Sequence, residues 1–211
     1  MDRWAQAVTR IGADDPAMAA FVAEAGPCTL VRRRHPGGPF AALARAILYQ
    51  QLAIGAAAAI HGRFAARYGG RPTPEAVLAT PDAELRALGL SGAKAASVKD
   101  LAAKVLDGSV RLSPLGRLGD DEIVTRLCTV RGIGPWTAEM FLMFQLNRPD
   151  VWPVGDLGVR AGYARIHGLA TTPTARELVL LGDRYRPWRS VAAWYCWRAM
   201  DAGVSAPPAG W

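Results

Sequence analysis

The stretch VRGIGPWTA, residues 130–138, breaks a helical pattern and restarts it within a few residues. Ile123, Val124, Leu127 and Cys128 lead into it at helical spacing, behind the acidic opening Asp120-Asp121-Glu122. Gly132 and Gly134 permit a tight turn with positive backbone angles, which residues bearing a side chain resist. Pro135 suits the first position of a new helix, where a missing N–H costs nothing and φ is already helical. The amides of such a turn, and of the first turn after it, lack internal partners. They form a ready place for a phosphate. Residues of about 121–146 therefore read as two helices joined by a glycine hairpin, with Gly132, Ile133 and Gly134 as the phosphate-facing element. The alternative is an ordinary corner between two helices with a glycine stop. Asp156, in VWPVGDLGVR, follows Gly134 by 22 residues and brings a carboxylate near enough in sequence to work beside the hairpin.

Composition narrows the choice. The chain has 211 residues, enough for one large domain or two small ones, and 51% of them are hydrophobic, so a packed core is expected. Its 25 Lys and Arg against 18 Asp and Glu leave a formal charge of +7. That balance fits a polyanionic partner, duplex DNA being the usual ligand of such a hairpin, or else simply a basic soluble protein. Cys28, Cys128 and Cys196 are far apart and make no C-x-x-C spacing, which argues against zinc or an iron–sulfur cluster and fits a reducing cytoplasm. The start, MDRWAQAVTR, lacks the apolar core of a signal peptide. Residues 41–60 are the one run resembling a membrane span, but Arg45, Gln50 and Gln51 interrupt it, so buried Ala-rich helix is expected instead, within one or two helices over about Phe40–Tyr68.

Helical periodicity runs throughout and no segment sustains strand alternation, so the expected class is all-α, about ten short helices. Asp15-Pro16 opens a helix to about Glu24, and Thr73-Pro74 and Thr80-Pro81 open two more. His35-Pro-Gly-Gly-Pro39 reads as a loop, and LGLSGAK at 88–94 as a second, looser hairpin. The last helices cover about 174–181 and 190–202, and the tail SAPPAGW is expected to fray.

Four separated segments carry a resemblance. AILYQQL (46–52), LGLSGAKAASVKDLA (88–102), VRGIGPWTAEMFLMFQLNRPDVWPVGDLGVR (130–160) and RPWRSVAAWYCWR (186–198) together resemble the helix-hairpin-helix DNA glycosylases, and within them the alkylpurine branch, DNA-3-methyladenine glycosylase II. The resemblance covers roughly residues 40–202. It implies that Asp156 is the catalytic aspartate, stabilising positive charge that develops on the sugar as the glycosidic bond breaks, an effect typically worth ~3–4 kcal/mol. By local chemistry Asp156 also reads as a helix cap, and the two roles are compatible. Trp136 stands where bifunctional relatives carry a Schiff-base lysine, which implies plain hydrolysis without strand cleavage. Trp197 matches the position that stacks on the flipped base, and an aromatic face attracts a cationic purine by ~0.5–2 kcal/mol. Met140 stands where a pocket tyrosine occurs in the family and completes the expected base pocket with Trp136 and Trp197; Trp188 and Trp194 are expected in the core. Gln51 falls at the position of the wedge that fills the gap left by the extruded nucleotide, with Leu52 and Gln50 as neighbours in an alignment uncertain by one. Gln50 also reads as a buried polar residue bonding its neighbours. Lys94 and Lys99 are expected on backbone phosphates. The backbone carbonyls of Cys128, Val130 and Ile133 match those that hold a monovalent cation in relatives; no metal or cofactor is otherwise required. His35, His61 and His167 have no partners at ligand spacing.

The implied architecture is a two-lobed helical glycosylase fold without the N-terminal β-domain of longer members. Residues 1–211 form one catalytic unit, with lobe one at about 40–148 and lobe two combining about 1–39 and 149–211. A DNA-binding cleft between the lobes should present Asp156 opposite the hairpin. The implied function is a monofunctional glycosylase removing alkylated purines, chiefly 3-methyladenine with 7-methylguanine left open, from double-stranded DNA in base excision repair. It should act as a monomer in the cytoplasm, nucleoid-associated in a prokaryote, and not at a membrane. Rivals are a non-catalytic helix-hairpin-helix DNA-binding module and a glycosylase for deaminated or oxidised bases.

Overall fold

Proline and capping residues mark where this chain turns into helix, and the computed structural model follows them. It describes residues 3–30 and 34–200, which form twelve α-helices and no strand. α1 (Arg3–Ala13) buries Trp4, Ala7 and Ile11 along one stripe. α2 (Pro16–Ala25) begins after Asp15, whose carboxylate accepts the Met18 amide at 3.0 Å. α3 (Gly38–Tyr49) and α4 (Ile54–Arg67) follow. α5 (Pro74–Ala79) is capped by Thr73, α6 (Asp82–Ala87) comes next, and α7 (Gly92–Leu106) is capped by Ser91. α8 (Asp120–Cys128) and α9 (Pro135–Met140) flank the glycine hairpin. α10 (Leu157–Ile166) starts on Asp156, α11 (Ala175–Leu181) on a capping box of Thr174 and Glu177, and α12 is Arg189–Met200. The tail 205–211, expected to fray, lies outside the described residues.

The chain divides into two compact units, one of residues 34–146 and one that joins 3–30 to 147–200 among the described residues. The boundaries fall before residue 34 and before Asn147, against expected positions near 40 and 149.

In the unit of 34–146, α3 is buried on nearly every side, from Phe40 to Leu48. Its alanines let α4, α7 and the segment after α9 approach it closely. That segment, Phe141–Gln145, is a π-helical turn, closed by the Leu146 amide on the Phe141 carbonyl at 3.2 Å. All five of its residues are buried. The expectation of buried helix over residues 41–60 is corrected: the helix breaks at 50–53, and beyond the break only Ala57 and Phe64 of α4 are buried. No helix among the described residues is long and apolar enough to cross a membrane.

In the other unit α10 packs against α12, and glycine makes that contact possible. A Cβ on Gly162 would lie 1.9 Å from the Cys196 carbonyl oxygen, so α12 backbone occupies the space of a side chain. Asp15 is a second anchor. Only 1% exposed, it accepts from Tyr185 at 2.5 Å and lies 2.8 Å from His167 Nε2 and 3.4 Å from the Arg184 guanidinium. Burial by itself would raise its pKa; the hydrogen bonds from Tyr185, His167 and the Met18 amide outweigh that and hold it below the ordinary carboxyl value. Trp194 is buried as expected, whereas Trp188 is half-buried, edge-on to Trp4 at 6.5 Å.

Candidate active site

The hairpin is built on one strained glycine and one open one. Gly132 has φ +80, and a Cβ there would approach Ser97 Oγ to 2.9 Å, so both its angle and its surroundings require glycine. Gly134 differs from expectation: its φ of −99 suits any residue, and it is the N-cap of α9. A Cβ at Gly134 would meet nothing within 4 Å. Ile133 is buried, 4% exposed, and its amide donates to the Val130 carbonyl at 3.0 Å; that carbonyl is one of the three expected to face a cation. From α7, Asp100 accepts the Arg131 amide at 2.7 Å, and the Lys104 ammonium reaches the Thr129 carbonyl at 2.6 Å.

Beside the hairpin lies an open cavity of about 430 Å³. Its wall includes Tyr49, Gln50, Gln51, Gly132, Gly134 and Trp136. Trp136 is half-buried on the first turn of α9 and presents to this cavity. Gln51 and Leu52 stand exposed just past α3, Leu52 at 37%. Gln50 turns inward, donating to the Gly132 carbonyl at 2.8 Å, as its reading as a bonded polar residue anticipates.

Three residues with expected site roles have other occupations. Met140 is fully buried at 0% and is no part of the cavity wall, because α9 turns it into the core with Ala138. Lys94 donates to the carbonyls of Ile47, Leu48 and Gln50 at 2.7, 3.0 and 2.8 Å, which uses all three of its N–H groups. Burial pushes its pKa down. Lys99 pairs with Asp82.

In the other unit, Asp156 caps α10. Its Oδ1 accepts the Val159 amide at 2.8 Å and the indole Nε1–H of Trp197 at 3.0 Å. Cap and candidate catalytic group are thus one residue, half-buried and held in a defined orientation. Gly158 makes the pairing possible: a Cβ there would sit 3.0 Å from Trp197 Cδ1 and 3.1 Å from Asp156 Oδ1. The spacing Gly158-x-x-x-Gly162 is the sequence signal of this close helix approach. Tyr49 on the cavity wall, with the Arg45 guanidinium 4.6 Å from its ring centre, carried no such signal.

One unit thus carries the glycine hairpin with a cavity beside it, and the other a carboxylate held in a defined orientation. Residues 44–183 match the HhH-GPD superfamily, described as base excision DNA repair proteins, and the chain belongs to that superfamily. It is similar to DNA-3-methyladenine glycosylase 1 of Schizosaccharomyces pombe, 39% identical over 163 residues, which are 76% of this chain and 72% of that protein. Among solved structures it is similar to an S. pombe 3-methyladenine DNA glycosylase in complex with abasic DNA, at TM-score 0.79 and 35% identity over 91% of this chain and 95% of that one. A Bacillus halodurans DNA-3-methyladenine glycosidase superposes at TM-score 0.86, 33% identical over 93% of this chain and 89% of that one. The chain spans 57% and 55% of the matched relatives from Bacillus subtilis and Escherichia coli.

Proposed function

We propose that this protein is a monofunctional DNA glycosylase that hydrolyses the N-glycosidic bond of alkylated purines, 3-methyladenine first, in duplex DNA. The observation that carries the reading is Asp156, held by the Val159 amide and the Trp197 indole on the same oxygen. Bond cleavage spreads positive charge over the sugar ring, and a carboxylate with fixed orientation stabilises it without reorganising as the charge forms. Trp197 then has two parts to play, orienting the carboxylate through its N–H and offering a π-face to a cationic base. Trp136 brings a second aromatic face and no amine, which fits hydrolysis by water rather than a Schiff base and strand cleavage. Gln51 and Leu52 supply the wedge, and the Gly132 and Gly134 amides the phosphate grip.

The test is release of methylated bases from alkylated duplex DNA, followed by treatment that reports abasic sites. Wild-type protein should release base and leave the strand intact, with no adduct trapped by borohydride. Asp156→Asn should lose about 10²–10³-fold in kcat while still binding DNA. An unchanged rate in that variant removes Asp156 from the mechanism. DNA binding without base release by the wild type would favour the non-catalytic module.

A further inference from the structure

One face of α7 carries Lys94, Ser97, Asp100 and Lys104, spaced by three or four residues, and it works on two separate pieces of backbone. At its far end Asp100 and Lys104 hold the hairpin, through the Arg131 amide and the Thr129 carbonyl. At its start Lys94 takes the carbonyls of Ile47, Leu48 and Gln50, which the end of α3 leaves without helical partners. The next residue, Gln51, has φ +57, an angle that residues with side chains seldom adopt. From there the chain forms an exposed ridge through Gln51, Leu52, Ala53 and Ile54, with Ile54 at 67% exposure.

We propose that Lys94 is a positioning residue for nucleotide extrusion: it locks the turn after α3 so that Gln51 and Leu52 project as a preformed wedge, at a spacing from the hairpin that α7 sets. The proposal rests on the glycosylase reading above. An ammonium withdrawn from water and bonded to carbonyl dipoles is costly to keep, and its depressed pKa records that cost. What the arrangement secures is a turn ordered before DNA arrives, so that binding does not have to order it. Gln50 reinforces the same turn from the other side, through the Gly132 carbonyl.

The experiment compares wild type, Lys94→Met, Lys94→Arg and Gln51→Ala on two duplexes. One holds the methylated base opposite its normal partner, the other opposite an abasic nucleotide, where extrusion breaks no base pair. Lys94→Met should lose roughly tenfold in kcat/KM on the paired lesion and about threefold or less on the unpaired one, as Gln51→Ala does. Lys94→Arg, which keeps the charge, should fall between wild type and Lys94→Met on the paired lesion only. Without DNA, amide hydrogen exchange at residues 50–54 should quicken in Lys94→Met while the exchange of α8 and α9 stays at its wild-type rate. Equal losses on both duplexes, or unchanged exchange at 50–54, overturn the positioning role. Wild type that releases no base from either duplex refutes the glycosylase reading instead, and the exchange measurement then decides the structural claim for Lys94. If Lys94→Met does not fold, Lys94→Arg with unaltered exchange and activity on both duplexes overturns the proposal.

Discussion

Trp197 and Asp156 show how one hydrogen bond can join packing to chemistry. The indole N–H lies 3.0 Å from Oδ1, and Gly158 supplies the gap through which the ring reaches it. Trp197→Phe keeps the aromatic face and removes the donor. Because a hydrogen bond to a charged group is worth ~1.5–3 kcal/mol, it should cost about 10- to 100-fold in kcat with a small change in KM. A matching rise in KM would instead place the role of Trp197 in base binding alone. Sequence reading identified both residues but not their bond, since 41 positions separate them and only packing brings an indole to a cap. Lys94 differs from its expectation for a related reason: a lysine beside a hairpin reads as a phosphate ligand until the carbonyls that accept its hydrogen bonds are visible.

At the scale of elements, the contact of α10 with α12 places the candidate catalytic pair, and it depends on the absence of side chains. Gly162→Ala would drive a methyl into the Cys196 carbonyl, and overpacking of this kind costs about 1–3 kcal/mol. Gly155→Ala is the contrast, since a Cβ there meets nothing within 4 Å, and it should stay within about 0.5 kcal/mol of wild type. Urea unfolding of the two variants measures the difference; equal midpoints would mean that α12 shifts freely and does not fix Trp197. Helix starts were legible because Asp15, Thr73 and Thr174 cap through atoms a few residues away. Whether residues 40–68 form one helix or two, and where they break, was not settled locally, because the atoms that stabilise the break at 50–53 come from α7.

For the whole molecule, buried titratable groups set the dependence of stability on acid. His61 is held down to about 4 from 6.5, first by burial and then by the Arg45 and His35 charges. Between those values the unfolded chain binds a proton that the folded one refuses, so stability should fall as pH drops from 6.5 towards about 4. His35, depressed by burial and by Arg45, adds to the same slope. Asp15 acts later: its depressed carboxyl stabilises the fold above 3.8 and loses that contribution as pH falls below. Urea midpoints at pH 7.5, 6.0 and 5.0 should decline in that order, and His61→Gln should flatten the decline. A midpoint independent of pH over this range would show that His61 takes up its proton in the folded state.

By itself the sequence determined the helical class, the hairpin, the capping sites and the identity of Asp156, Trp136 and Trp197 as the residues to examine. All of these are written in periodicity or in contacts a few residues long, where chain connectivity has already brought the partners together. Tertiary structure decided which glycine is strained, that Met140 turns into the core, that Lys94 closes a helix end, and that the Trp197 indole orients Asp156. Those outcomes depend on which groups remain unpaired once the helices pack, and a carbonyl or carboxylate takes whichever donor the fold brings to it.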